Sequence, residues 1–272
     1  MSEVIDCTTP DGLAAGVEAA SRAVRSGQVV VLPTDTVYGI GCDAFDADAV
    51  AAVLAAKGRG REMPPPVLVP NIRTVDGLAR EVSDDARILI AAFWPGALTL
   101  VLRAQPSLSW DLGETNGTVA VRMPDDATAL DLLAAIGPMA VTSANRTGQP
   151  PATSAQEAQE QLGEGVAVYL DGGPATASAA STILDVTGDE VVTLREGAIA
   201  RADIDAALET GRARLATERA EEQAEAERAA AAARRAELAS IRPGKGVGRP
   251  PKRPSAGGAA TSSRVAGRRR DG

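Results

Sequence analysis

The sequence contains no histidine among its 272 residues. That absence excludes serine–histidine and cysteine–histidine nucleophile pairs, together with every metal site that uses an imidazole ligand. Any chemistry must therefore depend on Lys, Arg, Asp, Glu, Ser, Thr and Tyr side chains and on backbone amides. Such a set favours catalysis by positioning reactants and stabilising charge over proton transfer through an imidazole.

Aromatic residues make up only 2% of the chain, and the two cysteines are Cys7 and Cys42. The hydrophobic fraction is 44%, so the core must be built mainly from Ala, Val, Leu and Ile. Two cysteines cannot form a zinc site by themselves, and a disulfide is unusual in the cytosol. No apolar run approaches the roughly 20 residues that span a bilayer, and residues 1–10 lack the layout of a signal peptide. We therefore expect a cytoplasmic protein without membrane contact.

The net charge of −8 averages two unlike parts of the chain. Residues 241–272 hold nine of the 28 basic residues and one of the 36 acidic residues, so this tail carries +8. The other 240 residues then hold 19 basic and 35 acidic residues, which gives −16. An acidic body argues against a broad nucleic-acid-binding surface there.

The basic tail, residues 241–272, is rich in Pro, Gly and Ser, which predicts disorder. Its charge predicts weak contact with nucleic acid through phosphate attraction. Residues 248–254 contain a Gly-Arg-Pro core similar to that of an AT-hook, so binding in the minor groove of A·T-rich DNA stays open as an alternative. A tail without a binding role is the third interpretation.

Hydrophobic periodicity predicts an α/β fold in which helices and strands alternate over residues 1–208. The predicted helices cover residues 10–27, 47–57, 84–93, 126–136 and 202–208. The predicted strands cover residues 29–32, 67–69, 98–102, 119–121, 139–142, 166–170, 182–186 and 191–194. One domain with an open sheet accommodates this order of elements.

Residues 209–240 form a second region, which is nearly all Ala, Glu and Arg between residues 217 and 238. These residue types favour helix, and pairs such as Glu225 and Arg228 lie one turn apart. The region has no stripe of Leu or Ile to bury, which predicts a solvated single helix. Pairing as a coiled coil, which needs a heptad of larger residues, is the alternative.

Two polar segments lie beside predicted strands, where open α/β sheets build their sites. Residues 33–41, with the sequence PTDTVYGIG, offer hydroxyl groups and a carboxylate to a small polar ligand, or form an ordinary turn. Lys57, Arg59 and Arg61 follow a predicted helix within five residues. Three cations so close repel one another unless an anion lies among them, although a solvated basic loop is the simpler alternative.

Further polar residues follow the later strands. Arg122 emerges from an apolar strand, so it is either half-buried with a partner or directed into a cleft. Residues 142–148, TSANRTG, can present backbone N–H groups to an anion, although they lack the Gly-Lys-Ser/Thr of a Walker loop. Ser181 and Arg195 add a hydroxyl group and a cation at two further strands.

In combination, these segments resemble the YrdC family of threonylcarbamoyl-AMP synthases. Seven of them occur in the family's order between about residues 29 and 199: PTDTVYGIG, KGRGR, FWPGALTL, VAVRMP, TSANRTGQPPAT, STILD and LREGAI. The resemblance implies a single α/β domain whose open twisted mixed sheet is flanked by helices. Family members condense L-threonine, bicarbonate or CO₂, and ATP to threonylcarbamoyl-AMP and pyrophosphate. A downstream threonylcarbamoyl transferase complex then modifies tRNA.

The resemblance also implies roles for matched positions. ATP would be bound by Lys57, Arg59, Arg61, Thr118, Ser143, Asn145, Thr153 and Arg195. Threonine would be bound by Thr34, Tyr38, Arg122, Ser143 and Ser181. Lys57, Arg59 and Arg195 would be catalytic because they stabilise charge on the phosphates. Mg²⁺ would be held through the ATP phosphates rather than by the protein. The alternative is a non-catalytic protein that binds double-stranded RNA or tRNA in the same cationic cleft.

Overall fold

The computed structural model describes residues 2–175 and 179–241. The chain divides into two compact units, Met1–Arg219 and Ala220–Gly272. The predictions for the basic tail concern residues 242–272 almost entirely, and these lie outside the described residues. The division of the chain at residues 208 and 240 stays a prediction.

Helices and strands alternate along most of the first unit. The helices are α1 (Pro10–Arg25), α2 (Ala47–Lys57), α3 (Val75–Leu78), α4 (Asp84–Phe93), α5 (Ala127–Ile136), α6 (Ala155–Leu162) and α7 (Arg201–Ile241). The strands are β1 (Glu3–Asp6), β2 (Val30–Leu32), β3 (Gly39–Asp43), β4 (Val67–Leu68), β5 (Leu98–Arg103), β6 (Thr118–Arg122), β7 (Met139–Ser143), β8 (Val168–Asp171), β9 (Thr182–Asp185) and β10 (Val192–Arg195).

All of these strands form one mixed sheet, in the order β1-β8-β2-β3-β7-β4-β6-β5-β9-β10. Strand β8 pairs in parallel with β1 and β2, whereas β7 pairs antiparallel with β3 and β4. The mixed sheet and its flanking helices confirm the predicted fold class. β10 lies at one edge of the sheet, beside β9.

The two faces of the sheet carry separate layers of the core. Val30 and Leu32 pack with residues of α1 and α5, whereas the intervening Val31 packs with residues of α2 and α6 on the other face. This alternation is the period of two that strand geometry imposes. The sheet is thereby covered on both sides.

Polar caps fix where the helices begin. Asp46, Ser83, Asp126 and Ser154 each accept hydrogen bonds from backbone amides in the first turn of α2, α4, α5 and α6. Gly58 ends α2 in the left-handed region at φ 61°, which glycine adopts readily. The end of α2 therefore turns sharply into the basic loop.

Strand β3 lies centrally in the sheet, at a position where the sequence predicts a polar turn. A Cβ on either Gly39 or Gly41 would lie 2.6 Å from a methyl group of Val141 in the neighbouring strand β7. Glycine at these positions lets the two strands approach each other. Its weak strand preference also conceals the strand in the sequence. β1, α3 and α6 are further elements that the periodicity does not predict.

Helix α7 begins where the last short helix is predicted and continues without a break to Ile241. In the first unit, Ile204 and Leu208 are buried, and Arg212 and Arg219 form ion pairs with Asp85 and Asp84 of α4. In the second unit, the side chains of residues 220–238 are exposed apart from that of Ala224, as a solvated helix requires. Within the described ranges, no helix combines the length and apolar character that crossing a membrane requires.

Candidate functional site

A cavity of about 420 Å³ lies over the central strands. The predicted site residues that line it are Thr34, Tyr38, Arg59, Thr118, Arg122, Ser143, Ser181 and Arg195. They come from elements that are far apart in the sequence, and the sheet order brings them together. Lys57, Arg61, Asn145 and Thr153 do not line the cavity. Their roles, like those of the lining residues, stay predictions.

Arg122 projects from the end of β6 and is 6% exposed. Its guanidinium donates hydrogen bonds to the Gly96 carbonyl at 2.9 Å, Thr36 Oγ1 at 3.0 Å and Asp35 Oδ1 at 2.6 Å. Burial is the main cause that lowers the pKa of Arg122, while the Asp35 carboxylate acts in the opposite direction. The ion pair with Asp35 therefore compensates the burial of this cation beside the cavity.

Ser181 and Arg195 meet at another part of the wall. Arg195 donates to the Ser181 carbonyl at 2.7 Å and 3.0 Å and to Ser181 Oγ at 3.0 Å. Ser181 Oγ also lies 2.8 Å from Thr99 Oγ1. Burial lowers the pKa of Arg195, and the described residues include no carboxylate in an ion pair with it.

Arg59 extends from the basic loop onto the same cavity. One terminal nitrogen donates to Thr142 Oγ1 at 2.9 Å, whereas the buried Nε has no hydrogen-bond partner among the described residues. Burial is the main cause that lowers the pKa of Arg59; the Glu62 carboxylate acts in the opposite direction, and the charge of Arg195 adds to the lowering. A buried N–H without a partner is costly, so the place beside Arg59 suits an acceptor from a ligand.

Lys57 lies beneath the cavity wall and is 3% exposed. Its ammonium group donates to the carbonyls of Ser143 and Asn145 and to Asn145 Oδ1. Burial and, secondarily, the nearby Arg59 lower the pKa of Lys57 to about 8. Asn145 in turn donates from Nδ2 to the carbonyls of Arg146 and Gln149.

Two further predicted residues lie outside the cavity with partners of their own. The Arg61 guanidinium is exposed and donates to both carboxylate oxygens of Asp111, at 2.7 Å and 3.0 Å. The Thr153 hydroxyl donates to Glu157 Oε2 at 2.9 Å. Neither side chain is placed to contact a ligand inside the cavity.

Tyr38 is fully buried, and its hydroxyl group faces the end of β8. The hydroxyl donates to the Gly173 carbonyl and accepts from the Gly172 amide at 3.1 Å. Burial, reinforced by the charge of Asp171, raises the pKa of Tyr38. Tyr38 therefore supports the cavity wall through its packing and remains protonated.

Several residues of the wall are not among the site residues predicted from the sequence. Thr36 and Thr99 contact Arg122 and Ser181 as described above, and Pro64, Pro65 and Pro66 also line the cavity. Thr36 lies in the segment PTDTVYGIG and Thr99 in the segment FWPGALTL. Membership of these family-like segments is the signal that could have identified them. Asp35 belongs to the first of these segments as well.

Comparison with known proteins identifies a family and several relatives that this chain resembles. The family model Sua5_yciO_yrdC, described as "Telomere recombination", matches residues 22–197. A Mycobacterium leprae protein provisionally named threonylcarbamoyl-AMP synthase is 55% identical over 204 residues, which cover 75% of this chain and 93% of the relative. The threonylcarbamoyl-AMP synthase of Bacillus subtilis is 39% identical over 191 residues, which cover 70% of this chain and 55% of the relative.

Solved structures also resemble this chain in fold. Sua5 of P. abyssi in complex with L-threonine has a TM-score of 0.71 at 32% identity, and the match covers 76% of this chain and 60% of that one. YciO of E. coli has a TM-score of 0.66 at 25% identity, and the match covers 75% of this chain and 100% of that one. The similarity therefore spans the part of the chain that holds the cavity.

Proposed function

The chain belongs to the Sua5/YciO/YrdC family, and on that premise we propose that it is a threonylcarbamoyl-AMP synthase. It condenses L-threonine, bicarbonate or CO₂, and ATP to threonylcarbamoyl-AMP and pyrophosphate. The observation that carries the proposal is the charge of the cavity wall. Arg59, Arg122 and Arg195 line one cavity, and of these three arginines only Arg122 forms an ion pair with a carboxylate of the described residues. A polyanionic substrate supplies the missing negative charge.

Arg122 suits the carboxylate of threonine. Three of its five N–H groups donate to protein acceptors in the described structure, so two remain for a substrate carboxylate. Thr34 and Ser181 supply hydroxyl groups on the same cavity, and Ser143 lies on its wall. Tyr38 shapes the pocket through its packing, since its hydroxyl group forms hydrogen bonds with the backbone of Gly172 and Gly173.

Arg59 and Arg195 suit the phosphates of ATP. Both carry charge that no carboxylate in the described residues neutralises through an ion pair, and the Nε of Arg59 lacks an acceptor. Thr118 and Ser143 add polar groups to the wall. Asn145, Thr153 and Arg61 contact protein groups instead, so any contact that they make with ATP requires movement.

Mg²⁺ would enter this site with its substrate, held through the ATP phosphates. Residues 2–175 and 179–241 contain no cluster of three or more acidic or cysteine side chains that could hold a metal. The phosphates, together with water, would supply the oxygen ligands that Mg²⁺ prefers. When bound, the ion would neutralise phosphate charge.

The reaction requires no imidazole. The threonine amine nitrogen forms a bond with the carbon of CO₂ and loses a proton to water, which gives a carbamate. A carbamate oxygen then attacks the α-phosphorus, and the bond between this phosphorus and the bridging oxygen breaks as pyrophosphate leaves. The site's contribution is to orient the carbamate next to the phosphate and to stabilise the departing charge through Arg59 and Arg195.

The direct test measures pyrophosphate release by the full chain. We expect release that requires threonine, bicarbonate and ATP together, and that stops when any one of them is omitted. A protein that only binds RNA in this cleft would bind double-stranded RNA without releasing pyrophosphate. The similarity to synthases and the small size of the cavity favour the enzyme.

Two finer parts of the proposal concern the fate of the product and the basic tail. A threonylcarbamoyl transferase complex would consume the product and modify tRNA in the cytoplasm, where ATP is supplied. The basic tail, residues 241–272, would contact nucleic acid weakly through its charge of +8. Deleting it should reduce nucleic-acid affinity at low salt and leave pyrophosphate release unchanged.

Gly197 provides a prediction about the geometry beside Ser181. A Cβ at this position would lie 2.4 Å from the Ala180 carbonyl oxygen and 2.4 Å from the Ser181 carbonyl carbon, both backbone atoms. Gly197→Ala must therefore displace Ser181 and the end of β10, and we expect kcat/KM to fall by about tenfold or more. Gly188→Ala is the matched control, since a Cβ there meets nothing within 4 Å. Equal activity of the two variants would contradict the prediction.

Arg59 and Arg61 differ in exposure, and we expect their substitutions to differ accordingly. Arg59→Ala removes a cation from the cavity wall and should lower kcat/KM for ATP by at least about 100-fold. Arg61→Ala breaks only an exposed ion pair with Asp111 and should lower it by less than about fivefold. Steady-state kinetics at saturating threonine would measure both. An Arg61→Ala loss as large as that of Arg59→Ala would show that Arg61 leaves Asp111 for the phosphates.

A further inference from the structure

Lys57 occupies a position unlike that of the arginines near it. It is the last residue of α2, it is 3% exposed, and it is absent from the cavity wall. Arg59, two residues later, does line the cavity. Lys57 is therefore surrounded by protein, whereas Arg59 faces the cavity.

The three N–H groups of the Lys57 ammonium match three acceptors of a single loop. These acceptors are the carbonyl oxygen of Ser143, the carbonyl oxygen of Asn145 at 2.7 Å, and Asn145 Oδ1 at 3.2 Å. An ammonium group has three donors, so the protein uses all of them. The Lys57 carbonyl oxygen also accepts from the Thr147 amide at 2.8 Å. Both the side chain and the backbone of Lys57 thus bind the loop of residues 143–147.

This loop begins at Ser143, the last residue of β7. Ser143 lies on the cavity wall, and the Ala144 amide donates to the Tyr38 carbonyl at 2.7 Å. Lys57 therefore binds carbonyl groups of a segment that contributes Ser143 to the cavity wall. Without a cation beneath them, these carbonyl groups would be buried without donors or would turn towards another partner.

We propose that Lys57 is a positioning residue, whose ammonium group holds the loop of residues 143–147 in the shape that the substrates need. The catalytic consequence rests on the proposed synthase function, but the effect on the loop does not. Replacing Lys57 should disorder the loop in the protein without any ligand, whereas a residue that only binds phosphate would leave the ligand-free loop unchanged.

Hydrogen–deuterium exchange of the full chain without nucleotide tests this role. The reporters are the amides of residues 144–149, among which those of Ala144, Asn145, Thr147 and Gln149 donate to backbone carbonyl groups. We expect Lys57→Met, which keeps the length and removes every donor, to speed their exchange by about tenfold or more, since hydrogen bonds to a charged group are lost. Lys57→Gln, which keeps two N–H donors, should show a smaller increase. If Lys57→Met does not fold, Lys57→Gln carries the comparison.

Arg59→Met is the matched control, because it removes a neighbouring cation that binds Thr142 and not residues 144–149. Its exchange in the reporter segment should equal that of the wild-type chain. Wild-type exchange in both Lys57 variants would overturn the proposal and leave direct phosphate binding as the role of Lys57. A wild-type chain without synthase activity would refute the proposed function, yet it would leave this exchange result intact.

Discussion

We expect Arg195→Ala to lower kcat/KM by at least about 100-fold while the fold stays intact, because one cation that stabilises the departing phosphate charge is lost. Arg195 lies at the end of the edge strand β10, and its guanidinium is oriented by Ser181. Removing it leaves no buried carboxylate unpaired, since the described residues show none in contact with it. Pyrophosphate release and circular dichroism would measure the two parts of the prediction.

Val192→Ala is the control for Arg195→Ala, since it truncates a half-exposed side chain of the same edge strand. It should retain the activity of the wild-type chain. A folded Arg195→Ala variant with the activity of Val192→Ala would refute the role of Arg195. Lys57→Ala should also nearly abolish turnover with the overall fold retained, because it removes the support of the loop of residues 143–147.

The second large effect concerns stability. Arg122→Met leaves the Asp35 carboxylate, whose side chain is 14% exposed, without its cation. Breaking a buried ion pair from one side costs about 3 kcal/mol or more, so we expect a loss of that size in the free energy of unfolding. The variant should also lose the use of threonine, since the proposed carboxylate partner is gone. Urea unfolding at constant pH measures the first effect.

A double-mutant cycle separates the ion pair from general packing. Arg122→Met combined with Asp35→Asn leaves no unpaired charge, so it should be more stable than the sum of the single losses predicts. Arg87→Met is the control on an exposed pair, since Arg87 and Asp76 lie 3.6 Å apart with both side chains more than half exposed. It should cost less than about 1 kcal/mol. Additive losses at Arg122 and Asp35 would contradict the pairing.

The sequence predicts the fold best where hydrophobic periodicity is strong. Helices α1, α2, α4 and α5 and most strands lie within a few residues of their predicted limits. The sequence does not predict strand β3, because Gly39 and Gly41 are residues typical of turns. In the structure they permit the close approach of Val141. The sequence also does not predict the continuity of α7, because the short helix of residues 202–208 and the helical region of residues 209–240 are predicted separately. In the structure one helix covers both, and ion pairs of Arg212 and Arg219 with α4 support it.

The sequence predicts which segments form the candidate site better than it predicts which side chains contact each other there. The strand-end positions of Arg122 and Ser143 follow from the pattern, because polar residues after buried strands meet over the same sheet. The contact between Thr99 and Ser181 joins residues 82 positions apart, and no local pattern encodes it. Spacing also cannot distinguish Lys57, which faces the protein interior, from Arg59, which faces the cavity.

The proposed function requires that threonine, a one-carbon unit and an adenylate become one molecule in this cavity. The most direct measurement incubates the full chain with threonine, ATP and ¹³C-bicarbonate and analyses the nucleotides by mass spectrometry. We predict a new nucleotide with the mass of threonylcarbamoyl-AMP that carries the ¹³C label and appears with an equal amount of pyrophosphate. Pyrophosphate that forms without a labelled nucleotide, or no ATP consumption at all, would contradict the proposed function.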